Sequence, residues 1–197
     1  MRSYRHLAAA LVAVAFLAGC SAKTAGRASA GATTPSAAAS ATGQPSSSAK
    51  APVTRPKKID LKGVDSCSVL SSAQRQQFDF AREPTTVPAR AYGDATLCSF
   101  SSSDFSYGLG VTVVANQGFD SYARAVEAGE ATAIQVGGFP AAVNRFTALR
   151  PSCFIGLDVA DGQFIELQVD SSKVPMDELC SRATKIADAI IQTISAK

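Results

Sequence analysis

The sequence predicts an α+β domain: a mostly antiparallel sheet of five or six strands with a C-terminal helix packed across one face. Three observations predict it. Tyr107, Leu109, Val111, Val113 and Ala115 alternate with Gly108, Gly110, Thr112 and Val114, the period of a half-buried strand. Ser152–Val159 and Gln163–Asp170 flank Asp161-Gly162 as the two arms of a hairpin. Met176, Leu179, Cys180, Ala183, Ile186, Ala187, Ile190 and Ile194 recur at helical spacing, and so broad an apolar stripe needs a sheet to lie on.

The chain opens with a different kind of segment. Arg2 and Arg5 precede an apolar run from Leu7 to Leu17, shorter than the roughly 20 residues of a membrane span. Leu17-Ala18-Gly19-Cys20 reads as a lipobox. Small residues at 18 and 19 give a peptidase access to the backbone, and the Cys20 thiolate takes a diacylglycerol thioether. Residues 1–19 are then a signal peptide, and Cys20 begins the mature chain. Two or more acyl chains, at about 0.8 kcal/mol per buried methylene, hold a protein firmly to a bilayer. The competing reading is a plain secretory signal with an incidental Cys. Residues 21–58 are Ala, Ser, Thr, Gly and Pro with scattered Lys and Arg, so 20–60 reads as a lipidated Cys followed by a disordered tether of roughly 35 Å. The domain is expected over 61–197, beginning near Asp60-Leu61.

Within it, Ser71-Ser72-Ala73-Gln74 matches a capping box and predicts a helix over Ser72–Phe80. Pro84 to Pro88 reads as an extended loop. Thr96–Ser101 is a short strand that forms a hairpin with Tyr107–Ala115. Phe119, Tyr122, Ala123 and Val126 predict an amphipathic helix ending before Gly129. Ile134–Val136 and Ala141–Thr147 are strands around a Gly137-Gly138-Phe139-Pro140 turn. In the next hairpin a two-residue loop would set Leu157 against Glu166. A three-residue loop, Ala160-Asp161-Gly162, sets Leu157 against Ile165, Ile155 against Leu167 and Cys153 against Val169, and is the register predicted. Pro175 opens the last helix, with Asp177 and Glu178 in its first turn.

Four cysteines follow Cys20, an even number that in an exported chain reads as two disulfides. Three pairings are open. Cys153 lies on the apolar face of its hairpin and Cys180 on the apolar face of the last helix, which favours Cys153–Cys180 and leaves Cys67–Cys98. The sole histidine is His6, inside the signal. The mature chain therefore lacks an imidazole for a Ser-His-Asp or Cys-His nucleophile, or for a His-based zinc or iron site. No metal and no cofactor are expected. Residues 1–60 carry eight Lys/Arg against one acid, and 61–197 carry eleven against fifteen, so the basic character belongs to signal and tether. Nothing in the domain argues for nucleic acid. The tether's Lys23, Arg27, Lys50, Arg55, Lys57 and Lys58 serve either to rest on anionic headgroups or simply to solubilise a spacer.

A lipobox, a low-complexity tether, Cys67-Ser68-Val69-Leu70-Ser71 before a capped helix, Cys98-Ser99-Phe100, Cys153 on a strand and Cys180 in the last helix together resemble the actinobacterial lipoproteins of domain-of-unknown-function family 3558. The likeness covers most of 61–197. Phe100 stands where the family commonly has Trp, and Asp65-Ser66 precedes Cys67 where Asp-Pro is frequent. The resemblance implies an exported, membrane-anchored, disulfide-bonded protein, and it transfers no catalytic residue.

One predicted sheet face gathers Gly108, Gly110 and Gly156 with Phe154 and Phe164. Small residues between aromatics make either a shallow binding face or the seat for a covering element such as the Phe119–Val126 helix. Asp158, Asp161, Glu166 and Asp170 cluster around one hairpin, but alternation sends Glu166 outward and the turn accounts for Asp161, so these acids read as solvated. Arg145 and Arg150 read as either an anion site or an ordinary strand end. Gly137-Gly138 has none of the pattern of a phosphate loop. The reading that follows is a non-enzymatic binding or interaction module on the outer face of the cell membrane. Its partner is an envelope protein, a lipid or a small ligand. The alternatives are a carboxylate-based hydrolase of envelope material and a sensor or modulator of an envelope protein.

Overall fold

The computed structural model describes residues 54–125, 131–147 and 150–196. The lipobox with Cys20, the tether as far as residue 53, and Val126 and Gly129 at the expected helix end lie outside the described residues. The elements run α1 (Ser72–Gln77), β1 (Thr85–Pro88), β2 (Thr96–Ser101), β3 (Tyr107–Val114), α2 (Asp120–Ala125), β4 (Thr132–Val136), β5 (Phe139–Phe146), β6 (Ser152–Ala160), β7 (Gln163–Ser171) and α3 (Met176–Ser195). All seven strands form one antiparallel sheet in the order β1-β2-β3-β7-β6-β5-β4. The sheet has seven strands, not the five or six expected. The missing strand is β1, read from sequence as an extended loop. It pairs through Thr85↔Ser99 to Pro88↔Thr96, and all four of its residues are exposed, so it carries no burial alternation to betray it.

The central hairpin keeps the predicted register, with Leu157↔Ile165, Ile155↔Leu167 and Cys153↔Val169. The connection differs from expectation. Ala160 pairs with Gln163, so the loop is the two residues Asp161-Gly162, and a bulge between Asp158 and Ala160 absorbs the extra residue. Gly162 takes φ +72°, the left-handed conformation a tight hairpin demands.

Alpha-helix α3 crosses β6 and β7, burying Leu179, Ala183, Ile186, Ala187 and Ile190 in one core with Ile155, Leu157, Ile165 and Leu167. Cys153–Cys180 fastens this helix to the sheet, and Cys67–Cys98 fastens the turn at Ser66–Ser68 to β2, the pairing favoured from sequence. Helix α1 has the expected capping box: the Ser71 hydroxyl accepts from the Gln74 amide while the Gln74 side chain accepts from the Ser71 amide. It stops at Gln77, earlier than expected. Asp79 turns into the left-handed region at φ 62°, and the amides of Phe80 and Asp79 donate to the carbonyls of Arg75 and Gln76, closing the helix end.

Packing also extends N-terminal to the expected boundary near Asp60-Leu61. The Ile59 amide donates to the Val159 carbonyl at the bulge, the Lys57 ammonium donates to the Ser195 carbonyl at the end of α3, and Arg55 reaches the β6–β7 turn. The Leu61 amide donates to Gln163, whose amide donates in turn to Asp60. Among the described residues no helix is long and apolar enough to cross a membrane.

Candidate binding groove

The face of the sheet away from α3 is the one that gathers the predicted glycines and phenylalanines. Register sets them in rows. Ser99, Gly110, Gln168, Phe154 and Asn144 lie side by side across β2-β3-β7-β6-β5. The next row is Leu97, Thr112, Glu166, Gly156 and Ala142, and Val114, Phe164 and Asp158 follow. This face has a small second core of its own, formed by Ala89, Tyr92, Val114, Tyr122 and Phe164.

The five predicted residues are therefore divided. Gly156 and Phe164 are buried beneath a roof made by α2 and by the short turn Arg90–Tyr92. Phe119 and Tyr122 stack with centroids 5.6 Å apart, and Phe119, Tyr122 and Tyr92 all meet Phe164 edge-on. A Cβ at Gly156 would lie 2.7 Å from the Tyr122 ring and 2.8 Å from the Phe119 ring, so only glycine lets the roof come this close. Gly108, Gly110 and Phe154 stay half-buried outside the roof. The Asp170 carboxylate leans over Gly108, where a Cβ would meet its oxygen at 2.5 Å.

The carboxylates are not a solvated group, which corrects the reading from alternation. Glu166 does face away from α3, but that face is covered. The Tyr92 hydroxyl donates to the Glu166 carboxylate, and burial pushes Glu166 above the usual carboxylate range, a shift the Tyr92 hydrogen bond partly opposes. Burial, and next its bond to Glu166, raise the Tyr92 phenol, so it keeps its proton. Tyr122 is 1 % exposed, and its hydroxyl has no well-formed hydrogen bond among the described residues.

Asp158 is also buried, at 4 % exposure, and the guanidinium of Arg55 donates to one of its oxygens from Nε at 3.0 Å and Nη2 at 2.7 Å. Only Asp161 is fully outside, on the turn, where Arg55 Nη1 reaches it at 2.8 Å and holds its carboxyl below the usual range. Arg55 itself is raised: desolvation works against its charge, but the hydrogen bonds to Asp161 and Asp158 together with their negative charges outweigh it. Asp170 pairs with Arg150, and Arg145 pairs with Asp177 at the start of α3. The two arginines considered as an anion site are thus each held by a carboxylate and lie on different faces of the sheet.

Beside the roof runs a groove of about 550 Å³ that the sequence did not reveal. Phe119, Ala133, Pro140 and Ala142 give it an apolar lining, with Asp120 and Asp158 as its acidic groups. It is built by α2 on one side and by β5 with the edge strand β4 on the other. A second recess of about 220 Å³ shares Phe119, Asp120 and Asp158 with the groove and reaches Arg55 and the Asp161-Gly162 turn. The sequence signals behind the groove are weak ones: the small residues Ala133 on β4 and Ala141-Ala142 on β5, and Phe119 just before α2. A polar cleft of about 630 Å³ between α1 and α3 is lined by Gln77, Thr184, Lys185 and Gln192, with Gln74 spanning it by bonds to Ala189 and Thr193.

No curated protein matches the sequence. A solved structure similar to the chain is that of the extracellular domain of PknH from Mycobacterium tuberculosis, at 12% sequence identity and a TM-score of 0.29, over 73% of this chain and 80% of that one. The family model described as "Protein of unknown function (DUF3558)" matches residues 15–193, and the chain belongs to that family.

Proposed function

We propose that the chain is a lipoprotein, anchored through Cys20 to the outer face of the cell membrane, whose folded domain binds a ligand or partner in the groove beside α2 and catalyses no reaction. The observation that carries the binding reading is the groove itself, an apolar slot of about 550 Å³ on the sheet face that α3 leaves uncovered. The anchor rests on the basic start, the short apolar run and Leu17-Ala18-Gly19-Cys20. Two disulfides suit an oxidising compartment outside the cytosol.

The non-enzymatic part rests on the chemistry of the acids. A carboxylate hydrolase needs one acid to donate a proton and another to act as base or nucleophile across a cleft. Here Asp158 is held by Arg55, Asp170 by Arg150 and Glu166 by Tyr92. The mature sequence supplies no histidine in their place. A photo-crosslinking residue at Ala133, in the groove, tests the binding reading in whole cells. A discrete cross-linked product, lost when Ala142→Trp fills the slot, is expected. A cross-linked envelope protein would favour a modulator role, and a lipid or small molecule a carrier role. Absence of any product from Ala133, while exposed control positions also give none, contradicts the proposal.

A further inference from the structure

Arg55 comes from a stretch that the sequence marks only as spacer, yet its side chain is only 17% exposed and is bound to two acids of the folded domain. Three carboxylates, Asp120, Asp158 and Asp161, line the recess in which it sits, and one of them is almost wholly buried. Lys58 adds a weaker field at Asp161. The recess adjoins the apolar groove, since Phe119, Asp120 and Asp158 line both. A guanidinium delivered from the tether thus occupies a charged recess beside a groove that is mostly apolar and runs along β4, the last strand of the sheet. An edge strand bordering a groove suits an extended peptide.

We propose that Arg55 is an autoinhibitory stand-in: it occupies a site built for an arginine of a partner peptide, whose apolar neighbours lie in the adjoining groove. The inference rests on the binding reading above. The chemistry is that of charge-assisted hydrogen bonds between a planar guanidinium and carboxylates, which a partner arginine reproduces atom for atom. The internal arginine competes at the high effective concentration of a tethered group, so the partner must supply apolar contacts as well as charge to displace it. Displacement also removes the tie between the start of the described segment and the β6–β7 turn, leaving the Lys57–Ser195 and Ile59–Val159 hydrogen bonds to hold the residues that follow. Binding in the groove and the reach of the tether are then coupled.

The test uses the full lipidated chain purified in detergent. The probes are N-acetyl-argininamide and its neutral isostere N-acetyl-citrullinamide, followed by calorimetry and by the amide resonances of Gly162 and Phe119. Arg55→Ala is expected to bind N-acetyl-argininamide at least tenfold more tightly than the wild type, with shifts at both amides. The citrulline probe is expected not to bind, and Asp158→Asn in the same background is expected to abolish the gain. Arg55→Gln repeats the test if the alanine variant folds poorly, as judged by its near-ultraviolet spectrum. Equal binding by wild type and both variants, or equal binding of the two probes, overturns the proposal. An Ala133 cross-link unaffected by Arg55→Ala leaves the groove as a binding site and ends the exchange mechanism. Arginine binding in Arg55→Ala without any Ala133 cross-link keeps the exchange and removes the groove reading.

Discussion

The ring of Tyr122 rests on the backbone of Gly156, so near that a single added methyl group would lie 2.7 Å from it. That contact seats α2 on the sheet and gives the candidate groove one of its walls. Gly156→Ala is therefore expected to overpack the roof and cost about 1–3 kcal/mol, read from urea unfolding. Tyrosine fluorescence should report a displaced Tyr122. A variant as stable as wild type, with Tyr122 unmoved, would contradict the packing described.

Glu166 gives a pH dependence whose sign follows from its environment. Burial raises its pKa in the folded state above that of the unfolded chain. Its contribution is then fully present below the ordinary glutamate range and is lost as pH rises through the raised value. Glu166→Gln cannot ionise and should remove that loss. Thermal melts across this window should show the wild type falling relative to the variant as pH increases. Parallel curves would show that Glu166 does not titrate abnormally.

The disulfide Cys153–Cys180 closes a sequence separation of 27 residues between a central strand and α3. Replacing both cysteines with alanine should lower stability by about 3–4 kcal/mol in the chain-entropy view. Urea titration of the double variant without reductant checks the magnitude. No loss would show that the unfolded chain is already compact in this segment.

Gln74 serves two structures at once, capping α1 and bonding to the Ala189 carbonyl and the Thr193 hydroxyl of α3. Gln74→Ala should cost about 1–2 kcal/mol, the range of a lost cap together with side-chain hydrogen bonds. Amide exchange in α1 should accelerate more than in the centre of α3. Equal acceleration in both helices would mean that the two are not tied in this way.

What the sequence revealed depended on whether the governing interactions were local. The β6–β7 register was legible because Leu157, Ile165, Ile155 and Leu167 leave only one pairing that keeps apolar side chains together. The Asp158–Ala160 bulge was not, since Asp158 and Ala160 are poor strand formers that fit a loop as well as a bulge, and only pairing with β7 tells the two apart. Strand β1 lies between Pro84 and Pro88 and is exposed throughout, so its only structural signature is pairing with a distant strand. Alternation assigned Glu166 to the correct face but could not show that Tyr92, 74 residues earlier, covers it. Arg55 was harder still. It stands in a compositionally monotonous tether, and its partners Asp158 and Asp161 are more than one hundred residues away.

The most direct measurement is the intact mass of the protein recovered from membranes of its native host, without reductant. A chain beginning at Cys20 is expected, heavier than residues 20–197 by a diacylglyceryl group and any added acyl chain, with Cys67, Cys98, Cys153 and Cys180 all oxidised. An unmodified chain of residues 1–197, found in the cytosol with free thiols, would contradict it.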